Sequence, residues 1–341
     1  MTDIRVMDLD PADADAVDAW NDVLNRSISA TVPGFPAGSL TGLVVGMARP
    51  MRHYRTAWLI AHVDGRPAGI ARLAGPLREN TDNVTVEIEV DPKLRRRGVG
   101  TALLAAVEKW SLDQGRHTLH VYLCGELPGE PPMGEPGKAF AARNGFENKQ
   151  YEVRRRVDLD TVDESSLDAL LADAWTRADG YELVRWLNRV PERYVADVAY
   201  LDGRLVADAP TGDLVLEPDD MDAERVRDRE QWRAACGQLD LNVGMVHRAS
   251  GSLVAWTDIV VDAGGETDAR QGITLVDPAH RGHRLGTIVK IVNQRWLREY
   301  RPRMRYVHTW NAEANHAMIA INEAIGYRAA ERWMCHEKKL S

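Results

Sequence analysis

Two twelve-residue segments of this 341-residue chain share a pattern that suits the binding of a phosphate group. Residues 90–101 and 276–287 both begin Val-Asp-Pro, both carry arginine at the sixth position, and both end Gly-Thr. Each follows an extended run rich in β-branched residues and precedes an apolar helical pattern. A helix that begins after a basic, glycine-containing turn offers an anion unpaired backbone N–H groups and the positive end of its dipole. The sequence therefore predicts two anion-binding turns and, from the repetition, two related domains.

These turns differ from other phosphate-binding sequences. Neither ends in the Gly-Lys-Ser/Thr of ATP-binding loops, and neither has the third glycine and downstream acid of a dinucleotide fingerprint. A single copy would be equally compatible with a basic turn that simply starts a helix. The interpretation depends on the duplication and on the elements around it.

Composition limits the partners of the chain. A net charge of −8 argues against a general nucleic-acid binder, which needs a basic face. An acidic protein with one local cluster of basic residues suits a small anionic ligand and a cationic co-substrate. No run of apolar residues reaches the ~20 needed to span a membrane, and the first residues lack a signal-peptide pattern, so we expect a cytoplasmic location and no membrane partner. The three cysteines lie far apart, which predicts buried, reduced thiols and no metal site.

The predicted elements occur in the same order in both halves. In the first half, a helix opens at residues 11–13 and runs to about Leu24, a hairpin joins residues 54–63 to 67–74, residues 84–90 alternate as a strand, and residues 101–112 form a helix. The second half repeats hairpin, strand, loop and helix, and ends in a strand over residues 329–338. Each half also ends a helix with glycine followed by an aromatic residue, at Gly145 and Gly326.

Taken together, the hairpin, strand, Val-Asp-Pro turn, amphipathic helix, strand and Gly-aromatic helix end resemble the GNAT superfamily of N-acetyltransferases. The chain is similar to actinobacterial tandem GNAT proteins, an architecture also found in mycothiol synthase. The resemblance implies an α/β (α+β) fold with two GNAT-like domains, 1–162 and 163–341, each a mixed, largely antiparallel sheet flanked by helices. It further implies that each turn binds the pyrophosphate of acetyl-CoA.

The same resemblance assigns residues to acetyl-CoA binding. In the first half these are Val90, Arg95, Arg96, Arg97, Gly98, Val99, Gly100 and Thr101. In the second half they are Val276, Arg281, Gly282, His283, Arg284, Leu285, Gly286, Thr287, Asn311 and Asn315.

Both halves depart from the family pattern at the helix that follows. The family expects an asparagine and, seven residues later, a tyrosine that protonates the departing thiolate. The first half has Gly134 and Ala141 at these positions, and the second has Asn315 and Asn322. Arg284 replaces the middle glycine of the second turn, where its Cβ would narrow the approach of a phosphate.

Direct transfer to an amine needs a base and a donor to the carbonyl oxygen, which the family takes from the backbone N–H of Val90 or Val276. Glu87 and Glu89 lie on the polar face of their strand as candidate bases, with solvated strand residues as the alternative. In the second half, His308 and Asn322 are the catalytic candidates, although a packed, hydrogen-bonded His308 fits as well. His280 and His283 are placed either against phosphate or in solvent.

The sequence thus predicts an acetyl-CoA-dependent N-acetyltransferase that acts directly on a primary amine of a small molecule, either a metabolite or an amine-bearing antibiotic. Catalysis is placed in the second domain and tight CoA binding in the first. The alternatives are a non-catalytic acyl-CoA-binding or regulatory protein and a protein N-terminal acetyltransferase. The chain is expected to be a monomer or a homodimer.

Overall fold

The computed structural model describes residues 3–341 of the chain. Its strands are β1 (Ile4–Asp8), β2 (Tyr54–Val63), β3 (Arg66–Pro76), β4 (Asn83–Val90), β5 (Thr118–Gly125), β6 (Glu147–Asp158), β7 (Tyr181–Leu187), β8 (Leu239–His247), β9 (Leu253–Val261), β10 (Asp268–Val276), β11 (Tyr306–Ala312) and β12 (Arg328–Lys339). Its helices are α1 (Ala14–Thr31), α2 (Leu40–Ala48), α3 (Val99–Asp113), α4 (Glu135–Arg143), α5 (Glu164–Trp175), α6 (Val195–Gly203), α7 (Leu205–Asp208), α8 (Ala223–Ala235), α9 (Leu285–Tyr300) and α10 (His316–Ala324).

The chain folds into two compact units. The first unit contains the chain up to Glu152, Gly212–Leu214 and Glu331–Ser341, and the second contains Val153–Thr211 and Val215–Ala330. The units exchange short segments, so they do not follow from a single break in the chain. The domain boundary between residues 162 and 163 stays a prediction.

The sheet of the first unit follows the order β1-β2-β3-β4-β5-β12, with the first half of β6 next to β12. β1 and β2, β2 and β3, and β3 and β4 pair in antiparallel fashion, and β4 runs parallel to β5. The parallel pairing stops at Val86 and Val121, so β4 and β5 part over their last residues. Alternation along β4 buries Val84 and Val86 against α3 and turns the glutamates to the opposite face.

The last strand of the chain belongs to this sheet. β12 pairs with β5 in antiparallel fashion over eight residues, from Arg332 opposite Gly125 to Lys339 opposite Thr118. The pairing puts Trp333 opposite Cys124 and Cys335 opposite Tyr122. Residues near the end of the sequence therefore share a sheet face with residues of the first half.

The first helix differs from the sequence prediction, which ended it near Leu24. α1 continues to Thr31, because Ser27 extends the buried stripe formed by Trp20 and Val23. A buried serine carries no apolar signal, so the apolar periodicity ends about two turns before the helix does. α2 was not predicted either.

The second unit repeats the arrangement. Its strands follow the order β11-β10-β9-β8-β7, with the second half of β6 next to β11. β10 is parallel to β11 and the other pairs from β10 to β7 are antiparallel. The α/β class and the mixed, largely antiparallel sheets are confirmed. Helix α9 is buried over much of its length, including the segment Leu285–Ile291.

Two properties follow from the described residues, 3–341. None of their helices is long and apolar enough to cross a membrane. No group of three or more His, Cys, Asp or Glu side chains among them is arranged to hold a metal ion.

We predict that the first unit needs β12. A chain that stops after Ala330 leaves the β12-facing edge of β5 unpaired over eight residues, so amide protection of β5 should fall toward that of an unfolded strand. Hydrogen exchange followed by mass spectrometry measures this. A chain that lacks only Ser341 is the control. Full protection of β5 in the shorter chain would contradict the requirement.

Candidate functional site

The recurring Val-Asp-Pro-Arg residues build the same turn in both units. The carboxylate of Asp91 accepts a hydrogen bond from the backbone of Lys93 at 2.9 Å, and Asp277 does the same for Ala279 at 2.9 Å. A proline follows each aspartate at the start of a short 3₁₀ turn. These shared residues therefore fix the shape of the turn.

The shared arginine also contacts the backbone. Arg95 donates from Nε to the carbonyl oxygen of Val90 at 3.2 Å, and Arg281 donates to that of Val276 at 3.3 Å. Sequence reasoning placed both arginines on the pyrophosphate, and that role stays a prediction. The contact present in the structure ties the turn to the end of its own strand.

Each turn contains two left-handed residues at matching positions. In the first unit these are Arg96 (φ 64°) and Gly98 (φ 93°), and in the second they are Gly282 (φ 85°) and Arg284 (φ 58°). Glycine and arginine have exchanged places between the copies. Gly98 lies just before α3 and leaves the helix start free of a side chain, whereas Arg284 puts one at the start of α9.

A cavity of about 480 Å³ adjoins the first turn, large enough for a small-molecule ligand. Of the predicted CoA residues, it is lined by Val90, Arg95, Arg96, Gly98, Gly100 and Thr101. Arg97 is exposed and absent from the lining. The side chain of Val99 is buried in the core, so only its backbone N–H remains for an anion.

The gap between β4 and β5 determines which partners the backbone N–H groups at the end of β4 can reach. Asp91 donates its N–H to Ala68 on the β3 side at 2.9 Å. Because successive N–H groups of a strand point to opposite edges, the N–H of Val90 points toward β5. The two strands no longer pair at that level, so β5 offers this donor no partner, and Val90 lines the cavity.

Glu89 lies on the cavity wall next to this donor. Its carboxylate accepts a short hydrogen bond from the hydroxyl of Ser27, and Arg95 donates to that hydroxyl at 3.0 Å. Burial raises the pKa of Glu89 to about 7, and the charge of Glu87 adds to the rise, while Ser27 and Arg95 oppose it. A carboxylate with a pKa near neutrality is suited to accept and release a proton.

Glu87 is also half-buried, and burial raises its pKa against the opposing charge of Arg72. It does not line the described cavity. Neither glutamate is a freely solvated strand residue, which was the alternative for both. The geometry separates them, because Glu89 reaches the cavity wall and Glu87 does not.

The structure explains the missing asparagine of the first unit. Gly134 is left-handed (φ 70°), and a Cβ there would lie 2.0 Å from the carbonyl oxygen of Cys124, so glycine is required. Ala141 is buried at the position where the family has tyrosine. The sequence analysis missed Ser27 and Tyr122. Tyr122 lines the cavity together with Trp333, a tryptophan of the second half of the sequence that strand pairing brings there.

In the second unit, the residues that match those of the first cavity are different in type, already paired with another side chain, or buried. Leu275 stands where the first unit has Glu89. The guanidinium of Arg281 forms an ion pair with Asp208 at 2.9 Å. The side chains of Leu285 and Thr287 are buried in the unit, and Gly286 faces Ile321, whose side chain would be 3.6 Å from an added Cβ.

The histidines of the second turn bond to their own unit. Nδ1 of His280 lies 2.9 Å from the hydroxyl of Tyr181, and Nδ1–H of His283 donates to the carbonyl oxygen of Arg177 at 3.0 Å. A phosphate contact through these Nδ1 atoms would have to break existing bonds. Their assignment to a ligand stays a prediction.

His308 is buried with both ring nitrogens engaged. Arg154 donates to Nδ1 at 2.7 Å, and since a guanidinium can only donate, Nε2–H donates to Asp268 at 2.7 Å. Burial lowers the pKa of His308, so the neutral form is favoured. This geometry fits the packed alternative, and no free lone pair remains to accept a proton. The catalytic assignment of His308 stays a prediction.

The asparagines of the second unit shape α10. Asn315 caps the helix by accepting from the backbone of Met318 at 3.2 Å. Asn322 is buried, and its side-chain amide nitrogen donates to Oδ1 of Asn311 at 2.7 Å. Its backbone carbonyl oxygen accepts from the N–H of Tyr327 just past the end of the helix. These contacts place Asn315 at the start of α10 and join Asn322 to Asn311, and their assignment to a ligand or to catalysis stays a prediction.

Comparison with known proteins agrees with this geometry. Residues 40–130 match the model of the acetyltransferase (GNAT) family. Mycothiol acetyltransferases from Geodermatophilus obscurus and Thermomonospora curvata are 28% and 27% identical over 79% and 81% of this chain, and over 78% and 80% of their own lengths. A tandem GNAT protein from the clavulanic acid biosynthesis pathway superposes with a TM-score of 0.83 at 28% identity, covering 99% of this chain and 98% of that one. The chain is a tandem GNAT acetyltransferase.

The tandem acetyltransferase matches the family model in its first unit, which holds the described cavity. A GCN5-related N-acetyltransferase from Sphaerobacter thermophilus shares the fold, with a TM-score of 0.65 at 16% identity over 98% of this chain and 95% of that one. The GNAT family uses acetyl-CoA as acyl donor. The chain is therefore an acyltransferase with two copies of one fold and different residues at the two turns.

The left-handed arginine of the second turn generates a stability prediction. Arg284→Gly should raise the free energy of unfolding by about 1 kcal/mol, because glycine adopts φ 58° without the steric cost of a Cβ. Chemical denaturation measures the change. Arg281→Gly is the matched control and should destabilise, since it removes the Val276 and Asp208 contacts. Equal destabilisation by both changes would contradict the prediction.

Proposed function

We propose that the first unit transfers the acetyl group of acetyl-CoA directly to a primary amine of a small molecule. The observation that carries the proposal is a shared cavity wall: the turn before α3, the open N–H of Val90 and the carboxylate of Glu89 all face one cavity. A phosphate site, a donor for a carbonyl oxygen and a proton acceptor are the groups that this transfer requires.

The residues of this wall fit acetyl-CoA as a substrate. Gly98 leaves the start of α3 without a side chain, and Arg96 lies beside it, so an anion can approach the backbone N–H groups. Across the cavity lie Leu123, Phe140 and Asn144, which offer an apolar surface and one amide. The volume of about 480 Å³ lies in the range of small-molecule sites.

Glu89 accepts one proton from the incoming ammonium group and leaves a neutral amine. The amine nitrogen then forms a bond to the thioester carbonyl carbon, and the Val90 N–H donates to the carbonyl oxygen as negative charge develops there. The bond from carbon to sulfur breaks, and the second nitrogen proton ends on the sulfur. The products are an acetamide and the free thiol, and Glu89 returns its proton to solvent.

This proposal moves the chemistry from the second domain, which the sequence favoured, to the first unit. The asparagines that made the second half attractive hold α10 in place. The matching position of the base is Leu275, and His308 has no free acceptor atom. These contacts support a structural role for the second unit.

A pH profile tests the base. Glu89 acts in its ionised form, so kcat with both substrates saturating should rise with pH through about 7, its pKa. Glu89→Gln should lower kcat about 100-fold or more and remove this rising limb. Ser27→Ala removes a hydrogen bond that lowers the pKa of Glu89, so the limb should move to higher pH. An unchanged limb in Glu89→Gln would exclude Glu89 as the base.

Calorimetry tests the number of sites. We expect one acetyl-CoA per chain and loss of binding in Gly98→Val, whose side chain would lie at the start of α3. Gly282→Val is the matched control, because it strains a left-handed position of the second turn in the same way (φ 85°) and should leave binding intact. Two acetyl-CoA molecules per chain, or loss of binding only in the Gly282 variant, would contradict a single site in the first unit.

A further inference from the structure

The part of the cavity wall formed by α1, β5 and β12 is aromatic and apolar. Ile28 and Val32, at the end of α1, line one side, and Tyr122 and Trp333 line the sheet. Glu89 is the carboxylate among the described lining residues. The other charged side chains in the lining are arginines: Arg95 and Arg96 lie on the turn before α3, and Arg143 lies on α4.

Trp333 is held in place from two sides. Its indole N–H donates to Glu331 at 3.1 Å, and its ring centroid lies 5.7 Å from that of Phe35 in the segment after α1. The pairing of β12 with β5 puts it directly opposite Cys124, on the sheet face that also carries Tyr122. Trp333 is a fixed wall of the cavity, about half-buried, with surface left to contact a ligand.

Tyr122 adds a second aromatic surface. It is 45% exposed although it lines a cavity, and its hydroxyl is turned toward Cys335. An aromatic ring left this accessible inside a cleft is suited to pack against an apolar ligand. The carboxylate of Glu89, which lines the same cavity, supplies the charge that complements an ammonium group.

We propose that the acceptor is a primary amine carried on an aromatic or apolar carbon body, and that Trp333, contributed by the last strand of the chain, sets this specificity. The inference rests on the proposed function, since it names the substrate class of that site. Apolar surface buried against Trp333, Tyr122 and Val32 favours such a body over a hydroxylated or doubly charged one.

The test compares two primary amines on the full chain, 2-phenylethylamine and ethanolamine, with acetyl-CoA saturating and thiol release as the readout. We expect kcat/KM for 2-phenylethylamine to exceed that for ethanolamine by about 30-fold or more, from burial of the phenyl surface. Trp333→Ala should raise KM for 2-phenylethylamine about 10-fold, with kcat/KM for ethanolamine changed less than about 3-fold. Trp333→Phe should retain most of the preference.

Two further variants provide a second test of the cavity wall and a control outside it. Ile28→Ala trims the opposite side of the cavity and should weaken the same preference, even if Trp333→Ala fails to fold. Trp175→Ala removes a partly exposed tryptophan of α5 in the second unit and should leave both amines unaffected.

The outcomes distinguish failure of the specificity inference from failure of the proposed function. Transfer to both amines with equal efficiency, or with preference for ethanolamine, overturns the specificity inference and leaves the acetyltransferase proposal standing. An equal loss with both amines in Trp333→Ala also overturns it, because that result shows a structural role. Acetyl-CoA binding without transfer to either amine or to glucosamine contradicts the proposed function, and the inference with it.

Discussion

The parting of β4 from β5 is the constraint on which the first site depends. Parallel pairing ends at Val86 and Val121, and beyond that level the backbone of β4 has a donor with no strand partner. The turn of Asp91 and the bond from Arg95 to the Val90 carbonyl keep this strand end in place. Strand β12 holds the other side of β5. The ends of β4 and β5 can therefore stay separated while both strands remain part of the sheet.

The two copies of the fold share the residues that shape the turn and differ in the residues that could act on a substrate. Both keep the aspartate cap, the bond from arginine to the strand carbonyl and the pair of left-handed residues. These contacts maintain the strand-to-helix turn and are needed whether or not a ligand binds. The groups that would act on a substrate differ, since Glu89 corresponds to Leu275 and Gly98 to Arg284. The turn is thus a structural element of both units, and the reactive groups that we propose for catalysis lie in the first unit.

Much of the fold was predictable because its signals are local. Alternation along β4, the hairpin turns, the glycines that end α4 and α10, and the repeated Val-Asp-Pro turn all follow from short-range geometry. The extension of α1 was not predictable in this way. Its last buried position is Ser27, whose importance comes from a hydrogen bond to Glu89 on a distant strand. The same applies to Trp333, which enters the site through the pairing of β12 with β5.

Side-chain roles at the site were harder to predict than positions. Residue type alone made His308 and Asn322 attractive, yet both ring nitrogens of His308 are hydrogen-bonded and the amide nitrogen of Asn322 donates to Asn311. Glu89 was one of two equal candidates until the cavity lining, which includes Glu89 and not Glu87, separated them. Burial and partners determine reactivity, and neither can be read from periodicity.

The central claim is that acetyl-CoA is bound and used in the first unit. Hydrogen exchange of the full chain with and without acetyl-CoA tests it most directly, because it locates binding along the backbone. We predict added protection over residues 90–101 and 123–144, with no change over residues 276–287. Protection confined to residues 276–287 would contradict the account and return the site to the second unit.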